Sequence, residues 1–231
     1  FKGPALARGA TTYVLAYLDT SSPGILVERS TNGLLWSSPQ QAQPGIQTAL
    51  PPTIAYVPWN GRFILAWADL PTGYINTLIS RDNGASWAEP SEFTALRTAW
   101  GFGLECSSST ASCAIALGDA SRSSSRMLSA ILNFDSSGAL VIASNPVVIE
   151  ATAGVPFSES YGGAVASNGT SFEFVWRDRG RATVLTWANS IGMQGPFSLG
   201  FEPFTLHSPP RVVNRGSTFF LWSSYGVPYD Q

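Results

Sequence analysis

The sequence has little charge, a single histidine and no long apolar run. Charged residues make up 12% of the 231 residues, and the net charge is −2. A chain so close to neutrality offers no electrostatic attraction for nucleic acid or an anionic membrane. No apolar run reaches the roughly 18 residues that a membrane helix needs, so we expect no membrane insertion. The lone His207 has no second histidine or cysteine at metal-ligand spacing, and we expect neither a metal nor a cofactor.

Cysteine is also scarce, and the two cysteines lie close together. Six residues separate Cys106 from Cys113, with strand-like residues on both sides. This spacing fits a disulfide across a β-hairpin, with two free buried thiols as the alternative. A disulfide and a Ser-rich, Lys-poor composition favour a secreted or cell-surface protein.

The strongest signal that is present is an internal repeat of about 50 residues. Five apolar segments end at residues 19, 69, 119, 178 and 224, which gives spacings of 50, 50, 59 and 46. The first four end on an aspartate, namely Asp19, Asp69, Asp119 and Asp178, and the last ends on Ser224. A second short apolar segment, entered through Pro, Gly or another turn residue, precedes each of them. The long third spacing indicates an insertion around residues 140–160.

The local pattern is β throughout. Short runs of Val, Ile, Leu, Phe and Trp alternate with turn clusters, and no helical stripe of useful length occurs. Repeats of this size with about four strands each are typical of propeller blades. The sequence therefore predicts an all-β fold, a β-propeller of four-stranded antiparallel blades with about five blades, in one domain over residues 1–231. We expect the blades at residues 3–50, 51–99, 100–160, 161–208 and, in part, 209–231.

The fifth repeat is shorter than the others, because few residues follow Ser224. An open ring would leave an unpaired strand edge, which proteins seldom tolerate. The chain is then a fragment of a longer propeller, or another chain or domain completes it, or a distorted five-blade ring closes on two strands. We favour the fragment or a larger-protein context.

One eight-residue motif follows the third strand of the second repeat. It reads Ser80-Arg81-Asp82-Asn83-Gly84-Ala85-Ser86-Trp87. In such a turn the aspartate accepts backbone N–H bonds, the glycine supplies a positive φ and the tryptophan covers the turn. The first repeat, aligned over residues 29–36, keeps the glycine and the tryptophan but neither the serine nor the aspartate. Traces remain at Asp135/Gly138 and Ser190/Gly192.

On these residues the chain resembles the Asp-box (BNR) β-propellers of the sialidase-like superfamily. The resemblance implies that Ser80, Asp82, Gly84 and Trp87 are structural and lie on the face away from the ligand. It does not choose the function, because the family includes sialidases, other glycan-processing enzymes, lectins and interaction modules. A sialidase-type site would need three arginines from separate blades, whereas Arg177, Arg179 and Arg181 lie in one stretch. We therefore assign no catalytic residue from the sequence.

Propeller topology places the recurring aspartates on one face, since each of them ends the second strand of a blade. Trp100 and Tyr161 open first strands and belong to the same face. Aromatic rings stack on the C–H faces of sugars, and carboxylates accept hydroxyl protons. The alternatives are that each aspartate holds its own loop and that the rings fill the central channel.

The sequence thus predicts a secreted or surface carbohydrate-binding module whose partner is a glycan or glycoconjugate. The candidate ligand-binding residues are Trp100, Tyr161, Asp19, Asp69, Asp119, Asp178 and Arg177. A sialidase-like glycoside hydrolase is the alternative, and a structural or protein-interaction propeller without a sugar site is the second alternative.

Overall fold

A computed structural model describes most of the chain. The described residues are 3–19, 24–99, 101–119, 126–143, 145–150, 163–178, 181–188, 192–199, 211–215 and 218–222. Side chains are described as far as residue 175, except at 126 and 148–150. Over these ranges the secondary structure is nineteen β-strands, and no helix is long and apolar enough to cross a membrane.

The strands form five antiparallel sheets, each built from strands that are consecutive along the chain. Sheet 1 contains β1 (Ala5–Arg8), β2 (Tyr13–Leu18), β3 (Ile25–Ser30) and β4 (Gln40–Gln41). Sheet 2 contains β5 (Thr53–Val57), β6 (Arg62–Ala68), β7 (Tyr74–Ser80) and β8 (Ser91–Arg97). Sheet 3 contains β9 (Phe102–Cys106), β10 (Cys113–Asp119), β11 (Arg126–Phe134), β12 (Leu140–Ile142) and β13 (Val147–Glu150). Sheet 4 contains β14 (Ala164–Ser167), β15 (Ser171–Asp178), β16 (Arg181–Ala188) and β17 (Gly192–Leu199), and sheet 5 contains β18 (Arg211–Arg215) and β19 (Thr218–Trp222).

The two repeating sequence segments are the first and second strands of these sheets. The segments that end at residues 19, 69, 119, 178 and 224 correspond to β2, β6, β10, β15 and β19. The all-β prediction and the succession of four-stranded antiparallel sheets are confirmed. The sheets follow one another along the chain at the spacing of the sequence repeat.

The insertion predicted in the third repeat changes the outer edge of sheet 3. Both β12 and β13 pair with β11, where β12 covers its end near Phe134 and β13 covers its beginning near Arg126. The fourth strand of this sheet is thus divided into two short strands. Residues 151–162, which belong to the same predicted insertion, lie outside the described residues.

The core of the molecule lies between the sheets. The first strands of successive sheets contact one another, β1 with β5, β5 with β9, β9 with β14 and β14 with β18. One cluster of buried apolar side chains joins sheets 1 and 2, a second joins sheets 2 and 3, and a third joins sheets 3 and 4. Strand β6 shows how one strand serves two of them: Phe63, Leu65 and Trp67 belong to the first cluster, whereas Ile64 and Ala66 belong to the second.

Strand β9 and the residue that directly precedes β14 approach each other closely because both contact positions are occupied by glycine. A Cβ atom added at Gly103 would lie 2.8 Å from the carbonyl oxygen of Gly163 and 2.9 Å from Cα of Ala164. One added at Gly163 would lie 2.7 Å from Cβ of Ala116. Only glycine allows sheets 3 and 4 to meet backbone to backbone at this point.

The predicted disulfide is confirmed. Cys106 ends β9 and Cys113 begins β10, and the two are directly opposite in the strand ladder with their Cα atoms 3.9 Å apart. The bond closes the turn between the first two strands of sheet 3. In that turn the hydroxyl of Ser107 donates to the carbonyl oxygen of Gly169 at 2.5 Å, which ties sheet 3 to sheet 4.

Candidate functional site

The ends of the strands define two faces of the molecule. We letter the strands of each sheet A to D in chain order. The B–C face is the one formed by the loops between second and third strands and by the links between sheets. The opposite C–D face is formed by the turns between first and second strands and between third and fourth strands. Asp19 follows β2, Asp69 follows β6 and Asp119 ends β10, so all three lie at the B–C face.

The three aspartates occupy different environments. The backbone N–H of Asp19 donates to the carbonyl oxygen of Gly24 at 3.1 Å, and that of Asp69 donates to Tyr74 at 2.9 Å, so both residues close their own loops. Their side chains are half-buried, whereas that of Asp119 is only 1% exposed. Equivalent positions in the repeat therefore differ in their access to solvent.

Beside Asp19 a tyrosine is held by a carboxylate. The hydroxyl of Tyr17 donates to Oε1 of Glu28 at 2.6 Å. This hydrogen bond, with burial and the charges of Glu28 and Asp19, raises the pKa of Tyr17 to about 12. Tyr17 keeps its proton at physiological pH and acts as a donor.

A cleft of about 190 Å³ opens at the B–C face next to Asp69. Three segments line it, namely residues 49–50, 68–73 and 97–99. Most of its wall is apolar, with Asp69, Arg97 and two threonines as the polar groups. Of the aspartates that end the second strands in the described part of the chain, Asp69 is the one that lines this cleft.

The polar wall of the cleft is fixed by hydrogen bonds to the loop after Asp69. The Nε of Arg97 donates to the carbonyl oxygen of Thr72 at 2.6 Å, and its guanidinium lies 5.9 Å from the centre of the Tyr74 ring. The backbone N–H of the fully buried Thr98 donates to Gly73 at 2.9 Å. The guanidinium is therefore held in place beside the cleft, and among the described residues its other N–H groups have no hydrogen-bond partner.

Sequence reasoning missed Arg97 and Thr98. Both stand at the end of the second repeat, within three residues of Trp100, in a link that carries no recurring motif. A signal was present in their position, because the links between sheets belong to the same face as the recurring aspartates.

Several predicted residues lie outside the described part of the structure. These are Trp100, Tyr161, His207 and Arg179, together with the side chains of Asp178, Arg177 and Arg181. Their roles stay predictions. Among the described residues, no group of three His, Cys, Asp or Glu side chains is placed to hold a metal ion.

The eight-residue motif forms the turn after β7 at the C–D face. The Oγ of Ser80 accepts from the N–H of Gly84 at 2.8 Å and donates to Oδ1 of Asp82 at 2.8 Å. That carboxylate also accepts from the N–H and the hydroxyl of Ser86 at 2.8 and 2.6 Å, and Gly84 has φ +80°. Burial alone would raise the pKa of Asp82, but the hydrogen bonds from Ser86 and Ser80 outweigh it and lower this pKa. Trp87 packs against the cluster between sheets 1 and 2.

The corresponding turn of sheet 1 corrects our sequence alignment. Ser30, which the sequence alignment puts one place away from Ser80, accepts from the N–H of Gly33 at 2.8 Å and donates to Oδ1 of Asn32 at 3.1 Å. The amide oxygen of Asn32 in turn accepts from the N–H groups of Leu34 and Leu35. The serine is therefore retained and an asparagine stands in for the aspartate, in a turn one residue shorter.

Sheet 3 has a related turn after β11. The carboxylate of Asp135 accepts from the hydroxyl of Ser137 at 2.6 Å and from the N–H of Ala139 at 3.0 Å, and Gly138 has φ +80°. The hydroxyl of Ser137 and the backbone N–H groups of Ala139, Ser137 and Gly138 lower the pKa of Asp135. Three consecutive sheets thus close the same turn on an Asp or Asn side chain, and none of these groups lies at the B–C face.

Comparison with solved structures identifies the fold. A Hadza microbial sialidase aligns with a TM-score of 0.55 at 17% identity, covering 91% of this chain and 49% of that one. The intramolecular trans-sialidase of Ruminococcus gnavus aligns with a TM-score of 0.54 at 14% identity, covering 72% of this chain and 36% of that one. The fold is sialidase-like. The catalytic domain of a Coprinopsis cinerea GH62 α-L-arabinofuranosidase aligns at 0.58 and 12%, covering 100% of this chain and 85% of that domain.

The chain spans less than half the length of the two sialidases. No protein-family model and no curated protein matches the sequence. At identities below a fifth, these likenesses establish the fold and leave the activity to be argued from the site.

Proposed function

We propose that this chain is the propeller of a glycoside hydrolase that acts at the B–C face. The observation that carries the proposal is the cleft beside Asp69. It lies on the face where the sequence predicts a glycan ligand, in a fold whose solved neighbours are named as sialidases and an arabinofuranosidase. These neighbours favour a hydrolase over the pure binding module that the sequence alone suggests.

The chemistry assigns roles to a few residues. Most glycoside hydrolases use two carboxyl groups, one as the acid for the leaving oxygen and one as nucleophile or base. We assign Asp69 as one of these two groups, because it is the carboxylate that lines the cleft. The second carboxyl group would have to come from outside the residues that line the cleft in the described part of the chain. The N–H groups of Arg97 that Thr72 leaves free would bind sugar hydroxyl or carboxylate oxygens.

A panel of fluorogenic glycosides tests this assignment. We expect turnover of a sialoside or an arabinofuranoside, and a loss of activity of at least about 100-fold with Asp69→Asn, because a missing acid or base costs that much. Asp82→Asn makes the same change at the C–D face and is expected to keep full activity. A silent wild type, or Asp69→Asn as active as wild type, would overturn the proposal.

A glycan-binding module without hydrolysis is the second candidate. It is favoured by the cleft lining, which holds one carboxylate and is otherwise mostly apolar. A glycan array on the same protein would then show binding that Asp69→Ala abolishes, with no turnover on the panel. Silence in both assays would leave the protein-interaction propeller.

The architecture proposed with this function is a propeller of about five blades around the contacting first strands. Its support is the chain of contacts from β1 through β5, β9 and β14 to β18. An extracytoplasmic location, supported by the disulfide, completes the proposal. Small-angle scattering from the purified protein is expected to give the profile of a compact disc, and an elongated profile would contradict it.

A further inference from the structure

The sequence contains four Asn-Gly pairs, and all of them lie in turns. They are Asn32-Gly33, Asn60-Gly61, Asn83-Gly84 and Asn168-Gly169. Asn-Gly is chemically fragile, because the glycine nitrogen can attack Cγ of the asparagine. The N–Cγ bond forms, the Cγ–Nδ2 bond breaks, ammonia leaves, and water opens the cyclic imide to aspartate or isoaspartate.

In this molecule the attacking nitrogen is engaged in every one of the four pairs. The N–H of Gly33, Gly84 and Gly169 donates to a serine hydroxyl at 2.8, 2.8 and 3.0 Å, from Ser30, Ser80 and Ser167 respectively. The N–H of Gly61 donates to the carbonyl oxygen of Val57 at 2.9 Å. A nitrogen held in this way must give up a hydrogen bond before it can lose its proton and turn toward the side chain.

Three of the asparagines have a second restraint. The amide oxygen of Asn32 accepts from Leu34 and Leu35, that of Asn60 from Arg62, and that of Asn168 from Thr170 and Ser171. These bonds fix the side chain and keep Cγ from approaching the glycine nitrogen.

Asn83 lacks this second restraint. Its side chain is exposed, and no hydrogen bond reaches it from the described residues. The nitrogen of Gly84 is held by Ser80, which is fully buried. The restraint of the Asn83-Gly84 pair therefore depends on the hydroxyl group of Ser80 alone.

We propose that Ser80 protects the Asn83-Gly84 pair from deamidation, a role of this serine that goes beyond the proposed activity at the B–C face. The conversion would place a new negative charge beside Asp82, and the isoaspartate form would lengthen the backbone of the turn. Gly84 packs there against Val14, since a Cβ added to it would lie 2.9 Å from Cγ2 of Val14. Deamidation at Asn83 would thus loosen the contact between sheets 1 and 2.

The test is to age folded wild-type protein and Ser80→Ala at mildly alkaline pH and to map the peptides by mass spectrometry. We expect deamidation at Asn83 to rise about tenfold in Ser80→Ala, the factor that one lost hydrogen bond represents. Ser30→Ala is the matched control. It is expected to raise deamidation at Asn32 much less, because the amide oxygen of Asn32 keeps its two backbone partners.

The other three pairs in the Ser80→Ala protein report its folding. A general loss of stability would raise deamidation at all four pairs together, as is expected for wild-type protein aged in denaturant. A rise at Asn83 alone supports the proposal. A rise at Asn83 no larger than at Asn32, Asn60 and Asn168, or no rise at all, overturns it.

Discussion

Sheets 3 and 4 can approach closely because Gly103 and Gly163 have no Cβ atoms. The close contact between Gly103 and Gly163 leaves no room for a methyl group, and interiors transmit such a mismatch as strain. We expect Gly103→Ala to lower the free energy of unfolding by about 1–3 kcal/mol. Urea denaturation measures it. Gly24→Ala, whose added Cβ would meet its nearest atom at 3.7 Å, is expected to be neutral, and equal losses in both variants would contradict the reason given.

A half-buried acid, Glu105, is expected to make stability depend on pH. Glu105 is half-buried in β9, and desolvation raises its pKa from 4.5 to about 7 against a hydrogen bond from Cys106. The folded state then binds the proton more tightly than the unfolded state. Its contribution is complete below about pH 4.5 and is lost as the pH rises to about 7.

The measurement is the free energy of unfolding across that pH range for wild type and Glu105→Gln. Wild type is expected to lose up to about 3 kcal/mol toward neutral pH, and the glutamine variant is expected to lose this slope. Asp82 and Asp135, with lowered pKa values, act with the opposite sign and at more acid pH. A slope unchanged by the substitution would show that another group titrates.

At the scale of the element, the turns show which features of a motif matter. Sheet 1 closes its turn with Asn32 where sheet 2 uses Asp82, so an amide oxygen suffices to accept the backbone N–H groups. We expect Asp82→Asn to keep stability, and Asp82→Ala to cost about 1 kcal/mol in chemical denaturation. If the asparagine variant is as unstable as the alanine variant, the negative charge and not the acceptor is what the turn needs.

The elements were largely predictable because their signals are local. A period of 50 residues and the short apolar runs identified first and second strands in every sheet, and the spacing of Cys106 and Cys113 identified their bond. The alignment of the eight-residue motif with sheet 1 was wrong because the turn there is one residue shorter, which shifts Ser30 without changing the hydrogen bonds of its hydroxyl. A fixed motif spacing cannot reveal such a shift, whereas the hydrogen bonds of Ser30 show that it corresponds to Ser80.

The sequence indicated only the face of the molecule on which the candidate site lies, and not which residues line the cleft. Which aspartate borders a cleft depends on how the loop after Asp69 meets the link at Arg97, and these residues are 28 positions apart. Such a contact has no period, so the sequence placed Asp19, Asp69 and Asp119 alike. The structure gives them three environments, with one beside the cleft and another buried.

At the scale of the molecule, stability is shared between neighbouring sheets. Phe63 is fully buried in the cluster between sheets 1 and 2, with its ring centre 5.1 Å from that of Tyr56. We expect Phe63→Leu to cost about 1–2 kcal/mol and to speed amide hydrogen exchange in sheets 1 and 2 together, with sheet 4 less affected. Faster exchange confined to sheet 2 would contradict the shared core.

The division of strand β6 between two cores has a consequence for the direction of the whole series of sheets. Strand β6 turns Phe63, Leu65 and Trp67 toward sheet 1 and Ile64 and Ala66 toward sheet 3, so its two surfaces differ in volume. The bulky surface of β6 meets the smaller side chains of β2, and the phenylalanines of β15 likewise meet the alanines of β10. Each of these sheets thus presents its larger side chains to the sheet before it in the chain. Turning one sheet around would place bulky surfaces against equally bulky ones and leave small surfaces facing each other, so the series of sheets can be assembled in one direction.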